Sequence, residues 1–259
     1  MSDPIIRVSG LSNRFGEQTV HQDLALDVER GEVLGVVGGS GSGKSVLLRS
    51  IVGLRTPNAG RIEVFGKNLA QMDDRERRSY ERRWGILFQD GALFSSLTVA
   101  QNVEAPLKEH FDFPPALREE LARLKISLAG LPLNSGPKYP RQLSGGMRKR
   151  AGIARAIACD PEILFLDEPT AGLDPISAAL FDELILTLKE ALKLTVFLVT
   201  HDLDTLYRIT DRVAVLAEGR VIAVAPVAAL EHHPHPWIQA YFMGPRGRAA
   251  QRAERSELP

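Results

Sequence analysis

Gly38-Gly39-Ser40-Gly41-Ser42-Gly43-Lys44-Ser45 is the stretch whose reading decides the fold. It meets every fixed position of the pattern G-x-x-x-x-G-K-[ST]. Upstream, Val33-Leu34-Gly35-Val36-Val37 is short, apolar and rich in β-branched residues, as a strand buried on both faces should be. Downstream, residues 46–52 read as a helix with one apolar face. A glycine-rich turn between a strand and a helix N-terminus can curl so that successive N–H groups point inward at phosphate oxygens. Gly38, Gly41 and Gly43 permit the curl; Gly39, Ser40, Ser42 and Val46 complete the lining. Lys44 is placed to reach the β- and γ-phosphates, and the Ser45 hydroxyl to ligate Mg²⁺. The stretch predicts a nucleoside triphosphate site.

The chain has 259 residues, with 32 basic against 32 acidic side chains. That length buries a sizeable core, as one large domain or as a core with an inserted subdomain. The balanced charge supplies no global field to recruit nucleic acid or an anionic membrane. The single cysteine, Cys159, excludes an internal disulfide, suits a reducing compartment and reads as plain core. The first ten residues show no basic segment followed by an apolar one, so no secretion signal is expected. No apolar run approaches the roughly 18–20 residues needed to cross a bilayer. The expectation is a soluble polypeptide that meets a membrane only through a partner.

From the N-terminus, residues 5–8 and 19–28 alternate like half-exposed strands around the turn Phe15-Gly16-Glu17-Gln18. Phe15 is either an ordinary apolar residue or a face on which a nucleotide base stacks. Residues 61–66 and 84–88 read as further strands, and 73–83 as a helix whose charges form a solvated face. Over residues 90–160 the character turns helical, with helices at 98–109, 114–129 and 145–159. Residues 162–166 and 195–200 are buried strands. A long helix over 176–192 has Asp174 as its N-cap. A helix at 202–209 and a hairpin from 212–216 and 220–225 complete the pattern. Strands alternating with helices predict an α/β fold on a parallel-sheet core, with a smaller antiparallel β portion and a helical insertion.

Asp167-Glu168 directly follow the apolar run Ile163-Leu164-Phe165-Leu166. In an open α/β sheet the C-terminal end of a strand faces the ligand crevice. Neighbouring strand residues point in opposite directions, so Asp167 suits the Mg²⁺ shell and Glu168 the polarising of a water lined up on the γ-phosphate. Leu143-Ser144-Gly145-Gly146-Met147 opens a helix and forms a second anion cradle. One chain holds one complete phosphate loop, so the second cradle calls for a head-to-tail dimer. Arg148, Lys149 and Arg150 continue that helix and read as a solvated face.

The phosphate loop, Gln89, the 143–147 segment, Asp167-Glu168, Gly172-Leu173-Asp174 and His201 stand in a telling order. In that order and spacing the chain resembles the ATP-binding cassette (ABC) family, from residue 5 to residue 230. The resemblance implies a P-loop NTPase with a RecA-like parallel-sheet core, an antiparallel β subdomain and a helical subdomain over 90–160. It implies ATP and Mg²⁺, bound twice between two copies of the chain. Phe15 would stack on the base; Ser45, Gln89 and Asp167 would serve Mg²⁺; Glu168 would serve the attacking water. His201 would hold the γ-phosphate, and Ser144, Gly145, Gly146 and Asp174 would close on the nucleotide of the second copy. Closure would move the helical subdomain and pull on a membrane permease near Gln89. Met147 in place of glutamine and Phe15 in place of tyrosine depart from the commoner pattern and leave both functions intact.

Finer resemblance lies in Leu87-Phe88-Gln89-Asp90-Gly91-Ala92-Leu93-Phe94 and Asn102-Val103-Glu104-Ala105-Pro106-Leu107-Lys108-Glu109-His110. These segments, with Met147, look like the branch that moves phospholipids between bacterial inner and outer membranes. That branch implies a permease seated on 89–110, a periplasmic MCE-domain lipid-binding protein and a small STAS-domain subunit. The chain would lie on the cytoplasmic face of the inner membrane. The alternatives are a cassette for an amino acid, drug or steroid, and a soluble cassette acting on ribosomes or DNA. Against the latter stand the single cassette, the absence of a long inserted coiled coil and the neutral charge. Residues 231–259 read as an extension beyond a 1–230 ATPase domain. His232-His233-Pro234-His235 reads as a surface turn rather than a metal cluster. Trp237, Tyr241 and Phe242 form an aromatic face that docks on the core or on a second copy, and residues 244–259 read as flexible.

Overall fold

The computed structural model describes residues 3–89 and 91–244. The chain forms two compact units, Met1–Met72 with Phe197–Pro259 and, between them in sequence, Asp73–Val196. In the first unit β1 (Ile6–Phe15) pairs antiparallel with β2 (Gln18–Val28) and, on its other edge, with β4 (Ala59–Val64). A short β5 (Lys67–Asn68) completes the order β2-β1-β4-β5. β1 runs on to Phe15, well past the alternation at 5–8, because register shifts after Val8 carry it across Gly10. β3 (Val33–Gly38) is buried from Val33 to Val37, as its apolar run predicts. α1 (Lys44–Ile51) buries Leu47, Leu48 and Ile51.

In the second unit α2 (Asp74–Glu81) buries none of its residues and is capped by the Asp73 carboxylate, which accepts from the N–H groups of Arg75 and Glu76. β6 (Trp84–Leu87) pairs in parallel with β7 (Ile163–Asp167). α3 (Val99–His110), α4 (Pro115–Leu128) and α5 (Gly145–Ala156) pack against one another. Thr98 and Gln101 form a reciprocal capping box at the start of α3. Asn102, fully buried, donates to the carbonyls of Phe94, Leu97 and Thr98 and accepts from the Phe94 N–H. One side chain thus pins the loop that precedes α3. A Cβ on Gly85 would lie 2.0 Å from the Ala156 carbonyl oxygen, so β6 and α5 meet backbone to backbone. α6 (Pro175–Leu192) starts at its Asp174 cap.

The division between the units falls within β8 (Thr195–Val199), buried throughout. The first unit then resumes with α7 (Leu203–Ile209), β9 (Arg212–Ala217), β10 (Arg220–Ala225), α8 (Val227–Leu230) and α9 (Pro236–Phe242). There β3 lies between β8 and β9, parallel to β9, and β10 pairs antiparallel with β9. Ile238 and Phe242 of α9 pack with Val37, Leu206, Val213, Val215 and Leu230. The aromatic C-terminal face therefore docks on the core of its own chain, with Trp237 and Tyr241 stacked at 4.9 Å. The stretch expected to be flexible lies outside the described residues, except Gly244. Among the described residues no helix is long and apolar enough to cross a membrane.

Candidate active site

The phosphate loop spans the gap between β3 and α1. A Cβ on Gly38 would meet the Leu216 carbonyl and the Ser42 Oγ, each at 2.5 Å, so no side chain fits there. Gly41 and Gly43 have φ of 77° and 94°, the left-handed region that favours glycine. Gly43 is the N-cap of α1 and offers no side-chain cap, unlike Asp73, Thr98, Ser144, Asp174 and Asp202 at other helices. Lys44 Nζ donates to the carbonyls of Gly38 (2.9 Å) and Gly39 (3.2 Å), which folds the ammonium back over the loop. The Ser42 Oγ is buried without a hydrogen-bond partner. An uncapped helix start, an ammonium and an orphaned hydroxyl within one glycine loop fit a polyphosphate.

Beneath the loop lies His21, fully buried on β2. A Cβ on Gly43 would sit 2.3 Å from His21 Nε2, so the loop rests directly on the imidazole. The Asn13 Oδ1 accepts from Arg55 Nε at 3.0 Å, which orients the amide. Its Nδ2 then donates to Ser50 Oγ and to His21 Nδ1, each at 3.1 Å. That leaves the proton of the neutral ring on the buried Nε2, which faces the Gly43 backbone. The Arg55 guanidinium lies 3.8 Å from the centroid of the Phe15 ring. Phe15 and Arg55 line a cavity of about 400 Å³ with Val46, Arg49, Leu54, Thr56 and Asn58. The half-exposed aromatic thus stands beside Val46 in the first turn of α1.

Burial lowers the His21 pKa from 6.5 to about 4; the Gly43 backbone opposes the shift and the Arg55 charge adds to it. The folded chain therefore binds this proton less readily than the unfolded one. Stability from the neutral ring is complete above about pH 6.5 and drains away as the pH falls toward 4. Acid denaturation curves should lose on the order of 3 kcal/mol across that window through this ring alone. His21→Asn should flatten that part of the curve, and an unchanged slope would contradict the account.

The same unit holds His201, which is exposed at the end of β8; its carbonyl accepts from the Tyr241 hydroxyl at 3.2 Å. Trp237 Nε1 lies 3.8 Å from the position a Cβ would take on Gly39. Helix α9 thus touches both the phosphate loop and the His201 backbone. His235 accepts from the Trp237 N–H and caps that helix, which gives it a local structural role.

The second unit holds Gln89, Asp167, Glu168, the Ser144 cradle and Asp174. Asp167 is 6% exposed at the end of β7, while Glu168 is half-buried and has φ of 51°. The chain therefore leaves the strand through a left-handed residue, which the expectation of simple alternation missed. Such a backbone is costly for a side chain other than glycine and concentrates at functional sites. Ser144 Oγ accepts from the Met147 N–H at 3.2 Å, which leaves its own O–H free to donate outward. A Cβ on Gly145 would meet nothing within 4 Å, so the cradle is open. Asp174 accepts from the Ser177 N–H and hydroxyl; the hydroxyl first, then the backbone, holds its carboxyl below the ordinary range. Ser45 and Asp167 are hard oxygen donors of the kind Mg²⁺ prefers.

The basic triplet on α5 is not a solvated face: Lys149 is 6% exposed and Arg150 half-buried, and only Arg148 is exposed. Lys149 shares a helix face with the buried Gly152, Ile153 and Ala156, so helical period overrides the charge run. Its Nζ donates to the carbonyls of Gln89 (2.9 Å) and Glu168 (3.2 Å). Sequence reasoning also missed His21, Asn13 and Arg55; Asn13 and His21 at inward positions of β1 and β2 were the available signal, and Arg55, in the loop after α1, offered none. Cys159 is partly buried, and burial foremost raises its thiol to about 11, so it stays protonated at neutral pH.

A family model described as "ABC transporter" matches residues 21–171. The chain is 35% identical over 241 residues to the probable ribonucleotide transport ATP-binding protein mkl of Mycobacterium leprae, covering 93% of this chain and 69% of that one. It is 37% identical over 223 residues to the intermembrane phospholipid transport system ATP-binding protein MlaF of Haemophilus influenzae, covering 86% and 84% respectively. Against the methionine import ATP-binding protein MetN of Brucella abortus it is 39% identical over 226 residues, covering 87% of this chain and 61% of that one. Among solved structures, the dimeric ATP-binding cassette MJ0796, in a post-hydrolysis state with ADP and Pi, matches with a TM-score of 0.78 at 30% identity. That match covers 85% of this chain and 98% of the other.

Proposed function

The chain belongs to the ABC transporter family as an ATP-hydrolysing cassette, and from that premise we propose that it drives phospholipid transport between bacterial inner and outer membranes. The observation that carries the cargo is the reciprocal coverage with MlaF, 86% of this chain and 84% of that protein. The MetN match has a similar identity and spans only 61% of its length. The 87–94 and 102–110 segments, which face the permease in this reading, support the same branch. We take residues 1–230 as the ATPase domain, with a helical subdomain over 90–160, and 231–259 as an extension.

In this reading the phosphate loop and Lys44 bind the β- and γ-phosphates, and Phe15 stacks on the base. Ser45, Gln89 and Asp167 hold Mg²⁺, which when bound neutralises charge on the transferring phosphoryl group. Glu168 takes the proton of the attacking water, and His201 holds the γ-phosphate. Ser144, Gly145, Gly146 and Asp174 close on the nucleotide of a second copy. ATP binds the closed dimer better than the open one, and that difference drives the permease seated on 89–110. The chain lies at the cytoplasmic face of the inner membrane with a STAS-domain subunit on it, and a periplasmic MCE-domain lipid-binding protein completes the assembly.

Ser144→Arg should fill the open cradle and block closure while each monomer still binds ATP. Size-exclusion chromatography with ATP would show a monomer; an ATP-dependent dimer at parental yield would refute the cradle's role. The cargo is tested by pull-down of a tagged chain from mildly solubilised membranes, with proteins and lipids identified by mass spectrometry. A multispanning permease with an MCE-domain protein and phospholipid is the expected result. A permease with a solute-binding protein instead would overturn the lipid cargo, and ribosomal proteins or DNA alone would overturn transport.

A further inference from the structure

We propose that Lys149 is a positioning residue: its ammonium ties the Gln89 loop to the Glu168 turn and so couples the membrane-facing segment to the carboxylate that serves the water. The inference rests on the roles proposed above for Gln89 and Glu168. Two of the three N–H donors of the buried ammonium go to main-chain carbonyls, of Gln89 at 2.9 Å and of Glu168 at 3.2 Å. Both bonds go to main-chain carbonyls, so through them Lys149 controls where the two backbones lie. The Glu168 backbone is left-handed at φ 51°, a conformation that persists only where its surroundings hold it. The bond to its carbonyl is one such hold.

The same helix grips the loop a second time. Arg155 donates to the carbonyls of Gly91 (3.1 Å) and Ala92 (2.6 Å), both with positive φ. Helix α5 begins at the Ser144 cradle, so the cradle, the Gln89 loop and the Glu168 turn share one rigid element. A push on the loop is then passed to Glu168 through the Lys149 ammonium. An apolar stem in that place keeps the packing and loses the tie.

The experiment is ATP hydrolysis by the chain carrying Lys149→Met or Lys149→Arg, with Glu168→Gln in parallel and ATP affinity measured by calorimetry. Lys149→Met should lower kcat by about 10- to 100-fold while KM and ATP affinity stay within about threefold, because misplacement acts on the chemistry and not on binding. Lys149→Arg, which can still span two carbonyls, should recover part of the loss. A kcat for Lys149→Met within about twofold of parental would overturn the inference, as would kcat and affinity falling together with no recovery by arginine. Should the methionine variant not fold, Lys149→Gln, uncharged and one atom shorter, decides: reduced kcat at unchanged KM supports the tie, and parental kcat overturns it. Parental turnover by Glu168→Gln would instead refute the underlying site, which separates the two failures.

Discussion

Glu168→Gln is expected to lower turnover by about 10²- to 10⁴-fold, the ordinary worth of a positioned general base, while ATP still binds. Glutamine keeps the size and shape of the side chain and the same backbone at φ 51°, so the turn after β7 should be undisturbed. What is lost is the ability to accept a proton from water. The phosphate loop, which lies in the other unit, is untouched, so ATP should hold the variant in a closed dimer that hydrolysis no longer resets. Phosphate release and size-exclusion chromatography in ATP read the two halves of the expectation. Parental phosphate release would remove Glu168 from the reaction.

Lys44→Ala should do the opposite and abolish tight binding rather than turnover of what is bound. Nζ reaches back over the loop to the Gly38 and Gly39 carbonyls, so its charge stands where phosphate oxygens would gather. Charge-assisted hydrogen bonds of this kind contribute about 1.5–3 kcal/mol, or roughly 10- to 100-fold in affinity. Alanine suits the first position of α1, so the helix itself should form. Calorimetric titration with ATP checks this; affinity within a few-fold of parental would mean that the loop amides alone hold the phosphates.

The buried strands were legible because their apolar runs admit few other readings: β3, β7 and β8 lie where the residue pattern puts them. The phosphate loop was legible because each of its fixed positions answers a steric or electrostatic demand. Other features were hidden for physical reasons. The register shifts that carry β1 to Phe15 depend on partners on β2 and β4, which no local pattern reveals. A run of Arg148, Lys149 and Arg150 looks solvated until helical period and the neighbouring strand are known. The left-handed φ of Glu168 is a property of backbone, and residue type alone carries no sign of it. The chain from Phe15 through Arg55 and Asn13 to His21 joins residues up to 42 positions apart, so only the folded sheet assembles it.

The position of Trp237 beside Gly39 has a practical consequence. The chain contains two tryptophans, and the other, Trp84, is buried on β6 in the second unit. Removing Trp84 would leave a single indole at the rim of the phosphate loop, stacked on Tyr241 and sensitive to the charge that enters beside it. Its emission would track occupancy of the loop with no added label, making the protein its own optical gauge of nucleotide.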